Sequence, residues 1–447
     1  MKRSTAWGSV LASTVLLITG TFAIPASAAV PRCFGEKATI VGTSGGDILN
    51  GTARPDVIVG LAGSDTIRGK GKADLICAGK GNDSVHGGKG IDLTFGGGGN
   101  DEIFGDAGAF NQAVPGPGND QVDGGPGGGD EVIYLDATGP ITGDLGTGAV
   151  TGFGTDEVSN VEWLIGGPFD DSLTGSEASD VIFGADGNDT IDTLGGDDNP
   201  AGGAGDDAID GGDGFDLLAN YFLPVYYGFP PPAGPITIDL PAGILTGEGA
   251  DTLVGIEGGE GSTGDDVMIG DEGDNQFTSL NEGSDTVDAG GGDDLVDGGE
   301  GADDLDGGAG VDLLGNLDAS AGMTIDLSTL TDSQGDTLAG FEDVIGTFFD
   351  DVITGSDGPN EVQGADGDDD LFGLGGDDVL IGDFFGFTAG GTDSVDGGLG
   401  TDQCDAETEV ACEADPPPPT SMASSSGGAN GSWAYGLAYG RVARIRF

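Results

Sequence analysis

The residues of this chain that could do chemistry are aspartates, and their spacing is periodic. Asp47, Asp56, Asp65, Asp74, Asp83, Asp92 and Asp101 follow one another at steps of nine residues. Two positions after each stand Leu49, Ile58, Ile67, Ile76, Val85, Thr94 and Ile103, and glycines cluster just ahead, as in Gly87-Gly88-Lys89-Gly90-Ile91-Asp92. Aspartates presented at a fixed phase on glycine-rich loops offer carboxylate and carbonyl oxygens, the donor set of a hard cation such as Ca²⁺, which takes about 6–8 oxygens. Zinc would want histidine or cysteine, and His86 is the single histidine.

The phase returns three times. A second ladder has Asp171, Asp180, Asp189, Asp198, Asp207 and Asp216, with Pro200 breaking the aliphatic slot once. A third has Asp266 and Asn275, slips by one residue, then runs Asp285, Asp294, Asp303 and Asp312. The fourth is Asp351, Asn360, Asp369 and Asp378, followed out of phase by Asp393 and Asp402, while Asp120 reads as an isolated unit after the first ladder. Asn275 and Asn360 keep an oxygen but lose the charge.

Each unit reads G-G-x-G-x-D-x-U-x with U aliphatic, and this resembles the RTX (haemolysin-type) calcium-binding repeat. The opening from Cys33-Phe34-Gly35 to Gly42-Thr43 is similar to that of exported actinobacterial calcium-binding proteins of this type. The resemblance implies an all-β fold, a parallel β-roll or β-helix solenoid with a calcium ion between stacked loops; carried onto this chain, it makes all the ladder aspartates named above the expected metal ligands, with weaker binding at Asn275 and Asn360. The physics of one unit agrees with it. Glycines let the first six residues turn tightly; the last three form a short strand that sends U inward. Two units make one coil, so equivalent aspartates stack at 18-residue intervals. The slip before Asp285 puts stacking there in doubt.

Three inserts separate the ladders. They share ITGDL, ITIDL and TIDL (ending at Leu145, Leu240 and Leu327) and the phrases TDEVSNVE, ADTLVGIE and GDTLAGFE, ending at Glu162, Glu257 and Glu342. Alternating apolar positions favour strands over helices, hence wider coils of the same solenoid. The expected organisation is a signal peptide over 1–28, an N-terminal cap over 29–41, repeat block I over 42–127, an insert over 128–165, block II over 166–219, an insert over 220–260, block III over 261–315, an insert over 316–345, block IV with a C-terminal cap over 346–412, and a flexible Pro/Ser/Gly tail over 413–447. Lys2-Arg3, the apolar run from Val10 to Ile24 and Ala26-Ser27-Ala28 carry the leader pattern, with cleavage expected after Ala28.

Formal charge is −66, and no basic side chain lies between Gly90 and Gly440. Such composition fits either a disordered polymer or a fold whose positive charge is bound cation. An unstructured Asp/Gly polymer has no reason to lock aliphatic residues to one phase, which decides against disorder. Nucleic acid is excluded as a partner for want of a basic face, and no segment is apolar enough to span a membrane. Four cysteines in an exported chain suggest disulfides; proximity favours Cys404 with Cys412, leaving Cys33 with Cys77.

Gly42-Thr43-Ser44-Gly45-Gly46 fits a serine-hydrolase pattern but lies inside a repeat loop. Asp271–Glu282 has the length of an EF-hand loop, yet Gln276 stands where glycine is needed. No H-E-x-x-H occurs. The expected function is that of a secreted calcium-binding structural protein whose coils stack once it meets extracellular calcium. The alternative is an adhesin or matrix protein using the stiffened roll as a spacer toward a cell-surface partner. An enzyme is not expected.

Overall fold

The computed structural model describes residues 31–106, 111–220, 222–229, 232, 234–278, 280–317, 319–383, 392–406, 408–412, 433–438 and 441–446. The expected leader lies outside these residues. The chain divides into two units, Met1–Pro232 with Ala242–Glu257, and Ala233–Pro241 with Gly258–Phe447.

In the first unit short parallel strands climb two faces. One face carries Ile48–Asn50, Thr66–Arg68, Ser84–Gly88, Glu102–Asp106 and Gln121–Asp123 in adjacent, parallel register. The other runs Ile40–Val41, Val57–Ala62, Leu75–Lys80, Leu93–Gly98, Gln112–Val114, Glu131–Ile133, Trp163–Ile165, Val181–Asp186 and Asn199–Ala204, again parallel throughout. The register places each U residue against the U of the next coil: Leu49 opposite Ile67, Ile67 opposite Val85, Val85 opposite Ile103. These side chains are buried between the faces, Ile58, Ile67, Ile76 and Val85 completely. Each contributes about 1.5–3 kcal/mol by leaving water. The core is a stack of aliphatic residues, one per strand, in which Thr94 is a buried polar occupant of U opposite Ile76.

The second unit repeats this plan. Its faces are Val267–Ile269, Thr286–Asp288 and Asp304–Asp306 on one side and Gly258–Glu260, Gln276–Thr278, Leu295–Val296 and Leu313–Leu314 on the other. After the third insert the faces continue with Val352–Thr354, Asp370–Phe372 and Ser394–Asp396, and with Glu361–Ala365, Val379–Asp383 and Gln403–Asp405.

The architecture is the expected roll, with four local corrections. Pro200 does not break its slot: it is buried opposite Ile182, and the Asn199 Nδ2 donates to the Leu217 carbonyl at 3.2 Å. That amide supplies a donor beside the proline, which has none. Asp120 is not isolated; its strand pairs with that of Ile103. The slip before Asp285 leaves stacking intact, since Val267–Ile269 pairs with Thr286–Asp288 in register. Asp393 and Asp402, out of phase in sequence, stack one coil above Asp369 and Asp378, with a longer coil between.

The inserts are wider coils, but not parallel ones. In the first, Thr142–Asp144, Ala149–Thr151 and Thr155–Ser159 form an antiparallel meander on one face. Its last strand lies parallel to Gln121–Asp123, and its first lies parallel to Ser172–Ser176. The third insert does the same with Thr324–Asp326, Thr331–Asp332 and Thr337–Ala339. One helical turn, Phe222–Tyr226, occurs where only strands are expected. It packs aromatic rings over Trp163 and Phe183, and the Tyr226 and Tyr227 hydroxyls donate to the buried Glu131 at 3.1 and 3.0 Å. Disulfides join Cys33 to Cys77 and Cys404 to Cys412. In the C-terminal segment the backbone of Trp433–Ala438 pairs antiparallel with Arg441–Arg446.

Candidate metal centre

Every ladder aspartate named from the sequence except Asp47 is at least nine-tenths buried. Stacking of the coils sets their position. Beyond the two units that open each block, the Oδ1 of each accepts a hydrogen bond from the backbone N–H of the ladder residue one coil earlier. On one side this runs from Asp47 to Asp65, Asp83, Asp101 and Asp120 at 2.6–2.8 Å. On the other, Asp56 donates to Asp74 and Asp74 to Asp92, both at 2.8 Å. The second block repeats it, Asp171 to Asp189 to Asp207 and Asp180 to Asp198 to Asp216, at 2.7–2.9 Å. In the third block Asp266 donates to Asp285, Asn275 to Asp294, Asp285 to Asp303 and Asp294 to Asp312 at 2.7–2.9 Å. In the fourth Asp351 reaches Asp369 and Asn360 reaches Asp378, then Asp393 and Asp402 follow at 2.8–3.1 Å. Charge-assisted bonds of this kind are worth about 1.5–3 kcal/mol each.

The second carboxylate oxygen divides the units into two kinds. In the two units that open each block, a side-chain oxygen accepts from the N–H four residues earlier: Thr43 for Asp47, Thr52 for Asp56, Gly167 for Asp171, Ser176 for Asp180, Ser262 for Asp266, Asp271 for Asn275, Thr347 for Asp351 and Ser356 for Asn360, at 2.6–2.7 Å. In later units the residue four before the aspartate is left-handed, with φ of 82° at Leu61, 84° at Lys70, 101° at Gly97 and 68° at Leu374. That turn sends its N–H to the next coil instead, as from Lys70 to the Gly87 carbonyl and from Gly97 to the Pro115 carbonyl. The Oδ2 atoms of Asp65, Asp74, Asp83, Asp92, Asp101, Asp120, Asp130, Asp189, Asp198, Asp207, Asp216, Asp285, Asp303, Asp369 and Asp378 are left buried with no hydrogen-bond partner. A buried carboxylate oxygen without a partner is costly.

Burial, then repulsion by stacked carboxylates, pushes these groups up. Asp120, Asp189, Asp207, Asp216, Asp285 and Asp369 rise to about 7, and Asp74, Asp92, Asp101, Asp180 and Asp378 to about 6. From Asp92 onward lysine and arginine cannot relieve this, being absent between Gly90 and Gly440.

The donors fit a hard divalent cation. The unpartnered Oδ2 atoms are joined by carbonyls along the loops: a Cβ at Gly60 would collide with both the Ala78 carbonyl oxygen and Asp65 Oδ2, and one at Gly69 with both the Gly87 carbonyl oxygen and Asp74 Oδ2. Among the described residues no three of His, Cys, Asp and Glu gather at one point, so acids come in pairs and carbonyls would have to complete any shell. An all-oxygen set of this kind suits Ca²⁺.

Sequence reading missed the acids that close the first three blocks. Asp120 donates to Asp156 and Asp130 to Glu162 at 2.9 and 3.0 Å. Asp207 donates to Asp251 and Asp216 to Glu257 at 2.9 and 2.7 Å, and Asp303 and Asp312 donate to Asp336 and Glu342 at 2.8 and 3.1 Å. The signal was present in spacing, because Glu162 and Glu342 stand 18 residues before Asp180 and Asn360.

A family model described as the RTX calcium-binding nonapeptide repeat (4 copies) matches residues 41–76, 59–94, 78–109, 165–200, 201–218, 260–281, 279–314 and 345–380. No curated protein matches the chain.

Proposed function

The chain is an RTX calcium-binding nonapeptide-repeat protein through these four blocks, and from that premise we propose that it is an extracellular structural protein folded by the calcium it binds. The observation that carries the reading is the set of buried, unpartnered Oδ2 atoms, which from Asp92 onward lie in a segment without basic side chains. Calcium, when bound, supplies the positive charge that lets these carboxylates ionise while buried. Asp65, Asp74, Asp83, Asp92, Asp101 and Asp120, with their counterparts in the later blocks and the carbonyls of the glycine-rich loops, would hold it.

Folding then follows ligand assembly. Carboxylates a coil apart meet only when the coils are stacked, so binding free energy is folding free energy. The low calcium of a cytosol leaves such a chain extended for export, and millimolar calcium outside drives stacking. The leader pattern at 1–28 supports that route. Among the described residues no helix is long and apolar enough to cross a membrane. The role is mechanical, that of strongly acidic stacked coils.

A calcium titration followed by far-ultraviolet circular dichroism tests the proposal, with magnesium as control. The expected result is a coil-to-β transition with calcium and none with equal magnesium, because Mg²⁺ demands a stricter octahedron and dehydrates reluctantly. A compact, β-rich chain in excess chelator at neutral pH overturns it.

A further inference from the structure

We propose that the inserts extend the ion column rather than interrupt it: Glu162, Glu257 and Glu342 each supply a carboxylate to a further calcium site, facing Asp130, Asp216 and Asp312. This rests on the reading that calcium occupies the repeat gaps. None of the three glutamates falls inside a matched repeat, and none obeys the nonapeptide motif, which has aspartate at that position.

Geometry places them in the same role. The Oε2 of Glu162 accepts from the Asp130 N–H at 3.0 Å, and that of Glu257 from the Asp216 N–H at 2.7 Å. Within the blocks Oδ1 of the next aspartate makes this same bond, as from Asp198 to Asp216 at 2.9 Å. The backbone agrees: the Glu162 carbonyl accepts from the Val181 N–H at 2.9 Å, as the Asp56 carbonyl does from Leu75. Glu162 therefore holds an aspartate slot at the end of a wide coil, where one extra methylene lets the carboxylate reach the preceding loop, and Glu257 and Glu342 make the same contact to an aspartate N–H.

The facing group points independently to a ligand. Asp130 and Asp216 are 1% and 0% exposed, and each keeps an Oδ2 with no hydrogen-bond partner. Glu162 and Glu257 add negative charge beside them, which raises both aspartates further. A carboxylate placed there only to accept one N–H would be a poor choice, since a neutral glutamine accepts as well without repulsion. A bridging cation makes the charge useful.

Native mass spectrometry of the calcium-loaded full chain counts bound ions directly. Glu162→Gln, Glu257→Gln and Glu342→Gln each keep an acceptor for the N–H, and circular dichroism in calcium checks that each variant folds. Each is expected to hold at least one ion fewer than the parent, and all three together to lose the ions of every single variant. Asp144→Asn, at a residue whose Oδ1 accepts from the Thr147 N–H in an insert turn and which lies off both ladders, leaves the count unchanged. Position is read separately with Tb³⁺ in a W7F/W433F background, where Trp163 is the single tryptophan and adjoins Glu162. E162Q is expected to lower luminescence sensitised by Trp163, and E342Q to leave it as it was. Folded glutamine variants with the parent's ion count overturn the inference, while a parent that binds no calcium fails the underlying reading instead.

Discussion

One atom on one residue explains much of this composition. Stacking coils so closely leaves the next coil's carbonyl in the volume where a Cβ would be, and glycine answers that at only some loop positions. Gly97 and Gly98 are neighbours with opposite constraints. Gly97 has φ of 101°, and a Cβ there would strike the Gly79 carbonyl oxygen; at Gly98 a Cβ meets nothing within 4 Å. Gly97→Ala is therefore expected to destabilise the calcium-loaded fold by about 2–4 kcal/mol, from overpacking and a left-handed alanine. Gly98→Ala is expected to be neutral or to stabilise by about 0.5 kcal/mol through the unfolded chain. Thermal unfolding in saturating calcium checks the pair, and equal midpoints would sink the close-approach account. Elsewhere the same left-handed slot holds Lys70, Ala185, Leu194 and Leu374, so the repeat motif is looser than its glycines suggest.

Elements here are too short to be stable alone, so each strand depends on the coil before it, and the ends of the stack need fastening. Cys33–Cys77 ties the first hairpin, Arg32–Cys33 with Glu36–Lys37, to a strand 44 residues on. A loop of that length implies about 3–4 kcal/mol of stabilisation from restricting the unfolded chain. In a solenoid that stability is local. Cys33→Ser with Cys77→Ser is thus expected to speed amide hydrogen exchange in residues 31–106 while leaving block IV unaffected; uniform loss along the chain would contradict it. The strands of the blocks were legible because U and Asp hold one phase over many units. Longer coils, 19 residues from Asp101 to Asp120 and 24 from Asp369 to Asp393, were misread as breaks because a stack constrains the slots and not the loop length between them. The antiparallel meanders were not legible, since alternation of apolar residues is the same for either strand direction. Glu162, Glu257 and Glu342 were seen as a shared phrase but not as ladder members, because the residue type changed where the phase did not.

For the molecule as a whole the dominating quantity is −66 of charge held at close quarters. Without cations, the folded chain buries carboxylates whose proton affinity lies far above that of the unfolded chain, about 7 against 3.8 for Asp120, Asp189, Asp207, Asp216, Asp285 and Asp369. Between those values the fold binds more protons than the unfolded chain, so its metal-free stability is fullest below about pH 4 and is lost as pH rises through 7. Calcium reverses the direction, because it binds the ionised form and protons compete with it. In chelator, β-signal and compactness are expected to increase as pH falls from about 8 to about 5. In calcium, the same acidification is expected to weaken ion binding, read as a rise in the calcium midpoint. Circular dichroism and small-angle scattering at both pH values, with and without calcium, measure all four states. A chelated chain that expands further on acidification would mean that carboxylate repulsion in the stacked ladders is not what keeps it unfolded.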